Sequence, residues 1–413
     1  MRRLQMPLTS RQVKDHAEGL LHENLRLKDY SARCPTTVLY ALLLYVASRA
    51  TTIAHACKYL WNAPCDQTIY NALARTSPKF LELQRRLNRT LAASLPRRLR
   101  NHKSKRRYPI ALDLHLVPYY GLPKDDEDEI YKGKHERGTN LYHGYATAYL
   151  VRKGHRVTLA ILAVTHSTPW EDIVRDLLRM AVRLVGGVRL VLLDRGFWSV
   201  AVIRYLQRAR YPFLMPVLGR GRKVGDPRGP GGSNVFFAWR ASGWSRYTLE
   251  AGKKAKKAGK DAKATVLIAV RVCRAKKARS GSKPSKKKRR VLVYAAWGVG
   301  AHTPEWVKQT YRKRFGIETS YRQGGQARGW TTSRCPVRRL LLFGLAMLLR
   351  NVWAYLHAEY LAQWRKGWPR LYPDQLTLAI VLNWIAKVIE DLFGTLDSVD
   401  PQDFWDPLLA PRA

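Results

Sequence analysis

The chain has 413 residues, 46% of them apolar, with 74 lysines and arginines against 30 aspartates and glutamates and a formal net charge of +44. That length allows two or three domains, and the apolar share excludes global disorder. The charge points to a polyanionic partner, nucleic acid first, with a ribosome-associated or membrane-surface role as the alternative. The five cysteines (Cys34, Cys57, Cys65, Cys273 and Cys335) form no C-x-x-C pair. Neither a disulfide framework nor structural zinc is expected, and a reducing cytoplasm is. Residues 1–7 lack the apolar stretch of a secretory signal. The longest apolar runs, 37–48 and 340–349, are too short to span a bilayer, so no membrane partner is expected.

Residues 11–99 read as mainly helical. The pattern predicts one helix over 47–60, a break at 61–64 before Pro64, Asp66 as an N-cap, and a second helix over 67–75. Helix, short turn, helix is the outline of a helix-turn-helix reader, and equally of a plain helical hairpin. On the reader alternative, Gln67 and Tyr70 are candidate DNA contacts. The basic stretch 97–107 reads as an exposed linker or a DNA-backbone contact.

From Tyr108 the pattern changes. Strands are predicted at 108–117, 142–151 and 156–164, the last two joined at Lys153-Gly154. The acidic run 124–129 reads as a solvated loop. An amphipathic helix follows over 170–184, a strand over 188–193, a helix over 200–208 and a strand over 212–218. Three strands, helix, strand, helix, strand is a ribonuclease-H-like order, which sets the first and fourth strands side by side. Residues 219–304 then read as a basic β insertion with strands at 245–249, 265–272 and 291–297. Its lysine-rich loops, including Lys286, Lys287 and Lys288, suit phosphate. A helix is predicted over 304–323, ended by Gly324-Gly325, then helices over 340–360 and 376–392.

The expected architecture is therefore α/β: a ribonuclease-H-like mixed sheet flanked by helices, interrupted by a β-rich insertion, with helical N- and C-terminal regions. Its parts are a helical DNA-binding domain (1–105), a catalytic domain in two parts (106–218 and 305–360), the insertion (219–304) and a helical C-terminal region (361–413).

Three carboxylates stand out. Asp113 lies amid Ile110, Ala111, Leu112, Leu114 and Leu116, where an unpaired charge is costly and calls for a partner or a metal. Asp194 follows an apolar strand at its carboxyl end. Glu318 sits in a helical stretch in which Tyr311, Arg314, Glu318 and Arg322 recur at steps of three and four and share one face. That pattern fits a surface ion-pair ladder as well as a phosphate clamp. In a chain of this charge, a carboxylate cluster is the place to hold Mg²⁺ against a nucleic-acid phosphate.

These residues resemble the DDE insertion-sequence transposases of the Y-R-E-K signature group. Tyr311-x-x-Arg314-x-x-x-Glu318 is similar to the Y-R-E portion, Asp194-Arg195-Gly196-Phe197 to the motif around the second aspartate, and Asp113-Leu-His-Leu-Val-Pro-Tyr-Tyr-Gly121 to a first-aspartate motif. The resemblance covers roughly residues 108–349. It implies strand cleavage at transposon ends and attack by the freed 3′-hydroxyl on double-stranded DNA, with two Mg²⁺ ions (Mn²⁺ able to substitute) on Asp113, Asp194 and Glu318. It also implies that Tyr311, Arg314, Arg322 and Arg328 position phosphate, that a homodimer assembles on paired ends, and that the work is done at a prokaryotic nucleoid in the cytoplasm. The tryptophans of the insertion (Trp239, Trp244, Trp297) suit either a flipped base or the core. One departure stands: the family's lysine falls on Gly325. A metal nuclease of the same fold and a catalytically inactive DNA-binding protein are the rival readings.

Overall fold

Helix α1 (Ser10–Asn24) begins at a capping box, in which Thr9 Oγ1 accepts from the Gln12 N–H and the Gln12 side chain accepts from the Thr9 N–H. The computed structural model describes residues 7–99, 107–121, 130–136, 138–152, 156–165, 167–252, 263–274, 289–365, 368–370, 372 and 374–398. The chain divides into two units, Met1–Leu95 with Arg322–Ala413, and Pro96–Tyr321. In the first, α2 (Thr36–Ser48), α3 (Ile53–Tyr59), α4 (Asp66–Thr76) and α5 (Phe80–Ala93) follow α1.

The helix expected over 47–60 is two helices. Ala50 takes a left-handed conformation (φ 47), and Thr52 caps α3 by accepting from the His55 N–H. Threonine caps better than it propagates a helix, and the apolar periodicity hid that. Cys65, not Asp66, is the N-cap residue of α4, and Asp66 sits in its first turn, where a carboxylate suits the helix dipole.

The second unit carries a nine-stranded mixed sheet. Its strands are β1 (Tyr108–Pro118), β2 (Tyr131–Glu136), β3 (Thr139–Leu150), β4 (Thr158–Val164), β5 (Val188–Leu193), β6 (Phe213–Pro216), β7 (Gly243–Glu250), β8 (Lys263–Arg274) and β9 (Arg289–Trp297). β2 was not expected. Its sequence, Tyr-Lys-Gly-Lys-His-Glu, has no apolar alternation because it is a largely exposed edge strand. β3 pairs with β1 along one edge and with β2 and then β4 along the other. β1 and β5 run parallel and adjacent, as the sequence order implies, and β5 pairs in parallel with β6. The strands within 219–304 extend this same sheet, because β9 pairs antiparallel with β6 and carries β8 and β7 outward.

Helix α6 (Trp170–Val185) buries Ile173, Val174, Leu177, Leu178, Ala181 and Val185, one stripe at helical spacing, and stops at left-handed Gly186. Helix α7 (Val200–Arg208) is capped by Ser199. The helix expected over 304–323 is broken into α8 (Pro304–Arg312) and α9 (Phe315–Gln326), and Gly324 and Gly325 lie inside α9 rather than beyond it. At the break, the Arg314 N–H donates to Tyr311 O (2.9 Å) and the Ile317 N–H to Arg314 O (2.8 Å), a tightened turn in place of the α ladder.

The helical unit also contains α10 (Pro336–Leu356) and α11 (Leu378–Phe393). α10 is long and apolar enough to be weighed as a membrane span, but 89% of the qualifying window is buried inside the protein, as in a core helix. Arg49 pairs with Glu390 (2.6 Å), and Tyr45 OH donates to the same carboxylate (3.0 Å). Gly344 lets α10 close on α5: a Cβ there would fall 2.6 Å from Leu87 Cδ2, and Leu87 is itself 2% exposed. Gly344→Val should therefore cost about 1–3 kcal/mol by overpacking. Gly19→Ala, inside α1 with open space around it, should instead stabilise by about 0.5–1 kcal/mol. Urea melts of the two variants check both signs.

Candidate active site

Strand parity builds the site. Ala111 on β1 and Leu190 and Leu192 on β5 face one buried cluster with Tyr311 and Ile317 of the broken helix pair. Side chains alternate along a strand, so Asp113 and Asp194, two residues further on, continue onto that same face. The parallel register sets Leu112 opposite Leu193, which brings the two aspartates level at the carboxyl ends of neighbouring strands.

Arg314 reaches into this corner from the break between α8 and α9. Its Nη2 lies 3.2 Å from Asp113 Oδ1 and 3.1 Å from Asp194 Oδ1, and its Nη1 lies 2.8 Å from Glu318 Oε1. The three expected carboxylates thus converge on a single guanidinium. Both aspartate oxygens lie within 3.2 Å of one nitrogen, so they are close to each other. Arg314 is 3% exposed, and its Nε has no hydrogen-bond partner among the described residues. Asp113 is 8% exposed, while the Asp194 and Glu318 side chains are 42% and 48% exposed.

The helix break has its cause here. A straight helix would keep Arg314 on one surface ladder with Glu318. The break instead sets its charge among three anions.

Two tyrosines hold the corner. Tyr311, buried against Tyr294, donates its hydroxyl to Leu193 O (3.1 Å), the residue before Asp194. Burial pushes its phenol well above the ordinary value. Tyr321, one turn beyond Glu318, exchanges a 2.6 Å hydrogen bond with Thr147 Oγ1, donates to Asp113 O (3.4 Å) and lies against His115. Thr147 is the register partner of Asp113 on β3. Sequence reading missed Tyr321, Thr147 and His115. The i+3 spacing of Tyr321 from Glu318 was the available signal.

Of the other expected contacts, Arg322 is exposed on α9, Gly325 is exposed with open space where a Cβ would sit, and Arg328 lies 5.7 Å over the Trp330 ring. Gln67 is exposed and bonded to Asn71, whereas Tyr70 is half-buried beneath the Arg338 guanidinium at 4.5 Å. Lys286, Lys287 and Lys288 lie outside the described residues, as do the loop 124–129 and the turn 153–154. The tryptophans are half-buried: Trp244 donates to His302 O (2.8 Å), Trp239 packs on Phe236, and Trp297 pairs in register with Phe213.

Among the described residues no group of three or more His, Cys, Asp or Glu stands ready to hold a metal ion. The donor chemistry is nevertheless right for a hard divalent cation: three carboxylates on rigid elements, with no sulfur or imidazole among them. What stands among them is the guanidinium.

Burial drives the Asp113 carboxyl from 3.8 up to about 6. Arg314 opposes the rise, and Asp194 and then Glu318 add to it. Burial weakens the charged form of Arg314, yet Asp113, Tyr311, Asp194 and Glu318 together hold its pKa above the ordinary value.

A strongly basic chain that gathers carboxylates at one end of a mixed sheet has the make-up of an enzyme working on nucleic acid. Residues 104–352 match the transposase DDE domain family, which is more than half of the chain and takes in all three carboxylates. The chain belongs to that family, and with it to the nucleic-acid-cleaving enzymes. Among solved structures it is similar to piggyBac transposase in a cryo-EM synaptic complex with hairpin DNA, with a TM-score of 0.55 at 10% identity, covering 100% of this chain and 84% of that one. At that identity the likeness is one of fold. No curated protein matches the chain in sequence.

The raised Asp113 value fixes a sign. The folded protein holds this proton more tightly than the unfolded chain, so the stability it confers is complete below pH 3.8 and lost as pH rises through about 6. Asp113→Asn removes the penalty. In metal-free buffer its melting temperature should gain on the parent's as pH rises between those values, and the difference between the two should stay constant above them. Paired thermal melts from pH 4 to pH 8 test this, and a lead that does not change with pH would count against it.

Proposed function

We propose that the chain is the transposase of a prokaryotic mobile element, of the Y-R-E-K signature group and on a ribonuclease-H-like scaffold. The observation that carries this reading is the convergence of Asp113, Asp194 and Glu318 on one point within the segment that matches the family. Its substrates are the paired terminal repeats of the element and a target duplex. A homodimer working at the nucleoid in the cytoplasm, without a membrane partner, accounts for paired ends.

Two successive displacements at phosphorus make up the reaction. Water adds to the phosphorus at the element end, the 3′ oxygen leaves and takes a proton, and a 3′-hydroxyl is exposed. That hydroxyl then loses its proton, attacks a second phosphorus and expels another 3′ oxygen. The attacked phosphate lies in target DNA or across the duplex, the latter giving a hairpin such as the similar piggyBac complex holds.

A pair of Mg²⁺ ions, with Mn²⁺ as substitute, would be held by Asp113, Asp194 and Glu318 and would supply Lewis acidity toward the phosphate and the attacking oxygen. The residues themselves do the rest. Asp194 and Glu318 are open enough to solvent for a duplex to reach. Asp113 fixes the buried end of the site, and Tyr311 and Tyr321 hold the strand ends that carry it. Arg314, Arg322 and Arg328 bind phosphate, the first two beside the reacting bond. Gln67 and Tyr70 in the helical region and Lys286, Lys287 and Lys288 in the basic loop extend the grip on DNA. Arg322 or Arg328 takes the part of the lysine absent at Gly325.

Asp113→Asn, Asp194→Asn and Glu318→Gln should each lower nicking of an end-bearing duplex more than about 10³-fold while sparing DNA affinity. A strand-transfer assay on the parent completes the test. Nicked ends without joined product would leave a metal nuclease. Full activity in Asp113→Asn would leave a DNA-binding protein alone.

A further inference from the structure

We infer that Arg314 is a resident cation of the carboxylate site, which divalent metal displaces, and that the displaced guanidinium becomes the ligand of a DNA phosphate. The inference rests on the proposed metal site. It goes further by making metal entry an exchange rather than an addition and by tying that exchange to DNA binding.

Position is the first argument. One guanidinium hydrogen-bonds to Asp113 and Glu318 and ion-pairs with Asp194, all at 2.8–3.2 Å, using both terminal nitrogens. Any cation ligated by Asp113, Asp194 and Glu318 together needs the space those two nitrogens fill. The same oxygens cannot point at both cations at once, because Asp113 Oδ1 and Asp194 Oδ1 already converge on one nitrogen.

Charge is the second. A single positive charge faces three carboxylates, an incomplete match, and a divalent cation or a pair of them compensates the trio better. Mobility is the third. Arg314 sits in the short break between α8 and α9, where its N–H bonds within a tight turn, and its Nε holds no partner to anchor the stem. Its polar restraints among the described residues are the two terminal nitrogens, beside a contact with the Tyr311 ring at 5.8 Å, so loss of the carboxylates to metal releases its charged end.

A freed guanidinium beside the site is a bidentate phosphate ligand. Metal and DNA phosphate then bind with positive coupling that runs through Arg314. By linkage the coupling is reciprocal, with DNA raising metal affinity by the same factor.

The test uses the full-length protein without DNA and Mn²⁺ as the probe, its affinity read by electron paramagnetic resonance and its effect on melting temperature read in parallel. Arg314→Lys keeps the charge but cannot span three carboxylates, so its Mn²⁺ affinity should rise about tenfold. Arg314→Gln should bind Mn²⁺ at least as tightly. It should melt lower than the parent in chelator and recover more than the parent does on adding Mn²⁺. Lys313→Gln removes the neighbouring charge and should change affinity much less than Arg314→Gln. In a second measurement, Mn²⁺ should tighten binding of a short duplex by the parent and lose that effect in Arg314→Lys.

Unchanged or weaker Mn²⁺ binding in both Arg314 variants overturns the exchange, as does an equal gain in Lys313→Gln. If Arg314→Gln fails to fold, Arg314→Lys carries the test alone. Adding Asp113→Asn to Arg314→Lys separates this inference from the reading beneath it. Mn²⁺ binding lost in the double variant without tightening in the single one sinks only the exchange. Mn²⁺ binding untouched by Asp113→Asn sinks the metal site itself.

Discussion

One buried guanidinium organises the catalytic unit. Arg314 is almost wholly removed from solvent, and a cation there is tolerable only because Asp113, Asp194 and Glu318 surround it. The dependence is mutual. Asp113, equally buried, keeps its charge near neutral pH only with help from Arg314, and even so burial wins part of the contest. Removing either partner leaves the other stranded, and for that reason such pairs specify position more than they add stability.

The rest of the unit is arranged to make that meeting possible. Parallel pairing of β1 with β5 brings two strand ends level, and strand parity turns both aspartates toward the helices. Tyr311 and Tyr321 bind the backbone of Leu193 and Asp113, so each aspartate is held by its own or its neighbour's carbonyl. The helical chain over Arg314 gives way to accommodate the side chain. The α8–α9 break, next to Gly316, places Arg314 where its side chain meets all three carboxylates.

Apolar patterning made most of the scaffold legible. Strands β1, β3, β4, β5, β6 and the helices after β4 and β5 are buried elements whose periodicity matches their geometry. Asp113 and Asp194 were readable because a charge inside or just beyond an apolar strand has few bland explanations. The misses share a cause: each is an element ruled by polar interactions. β2 is an exposed edge without alternation, the α2–α3 break is set by threonine capping, and the α8–α9 break by ion pairing. Periodicity sees none of these. Helical spacing put Arg314 on one face with Glu318 but gave no sign of its approach to the two aspartates.

The chain's net charge gives this inward arginine its meaning. A surface of +44 gathers DNA from a distance and keeps divalent cations away, in both cases screened beyond about 10 Å at moderate salt. A cluster of bare carboxylates in such a molecule would be drawn toward any nearby lysine or arginine, and the chain carries 74 of them. Filling the cluster with one arginine fixed by its own helix break settles that competition locally. The carboxylates stay together, poised and neutralised in part, and the only cation that must leave is one the neighbouring phosphate is suited to receive. Specificity of this kind resides in the backbone, because the turn between α8 and α9 is what carries the guanidinium that meets Glu318 and both aspartates.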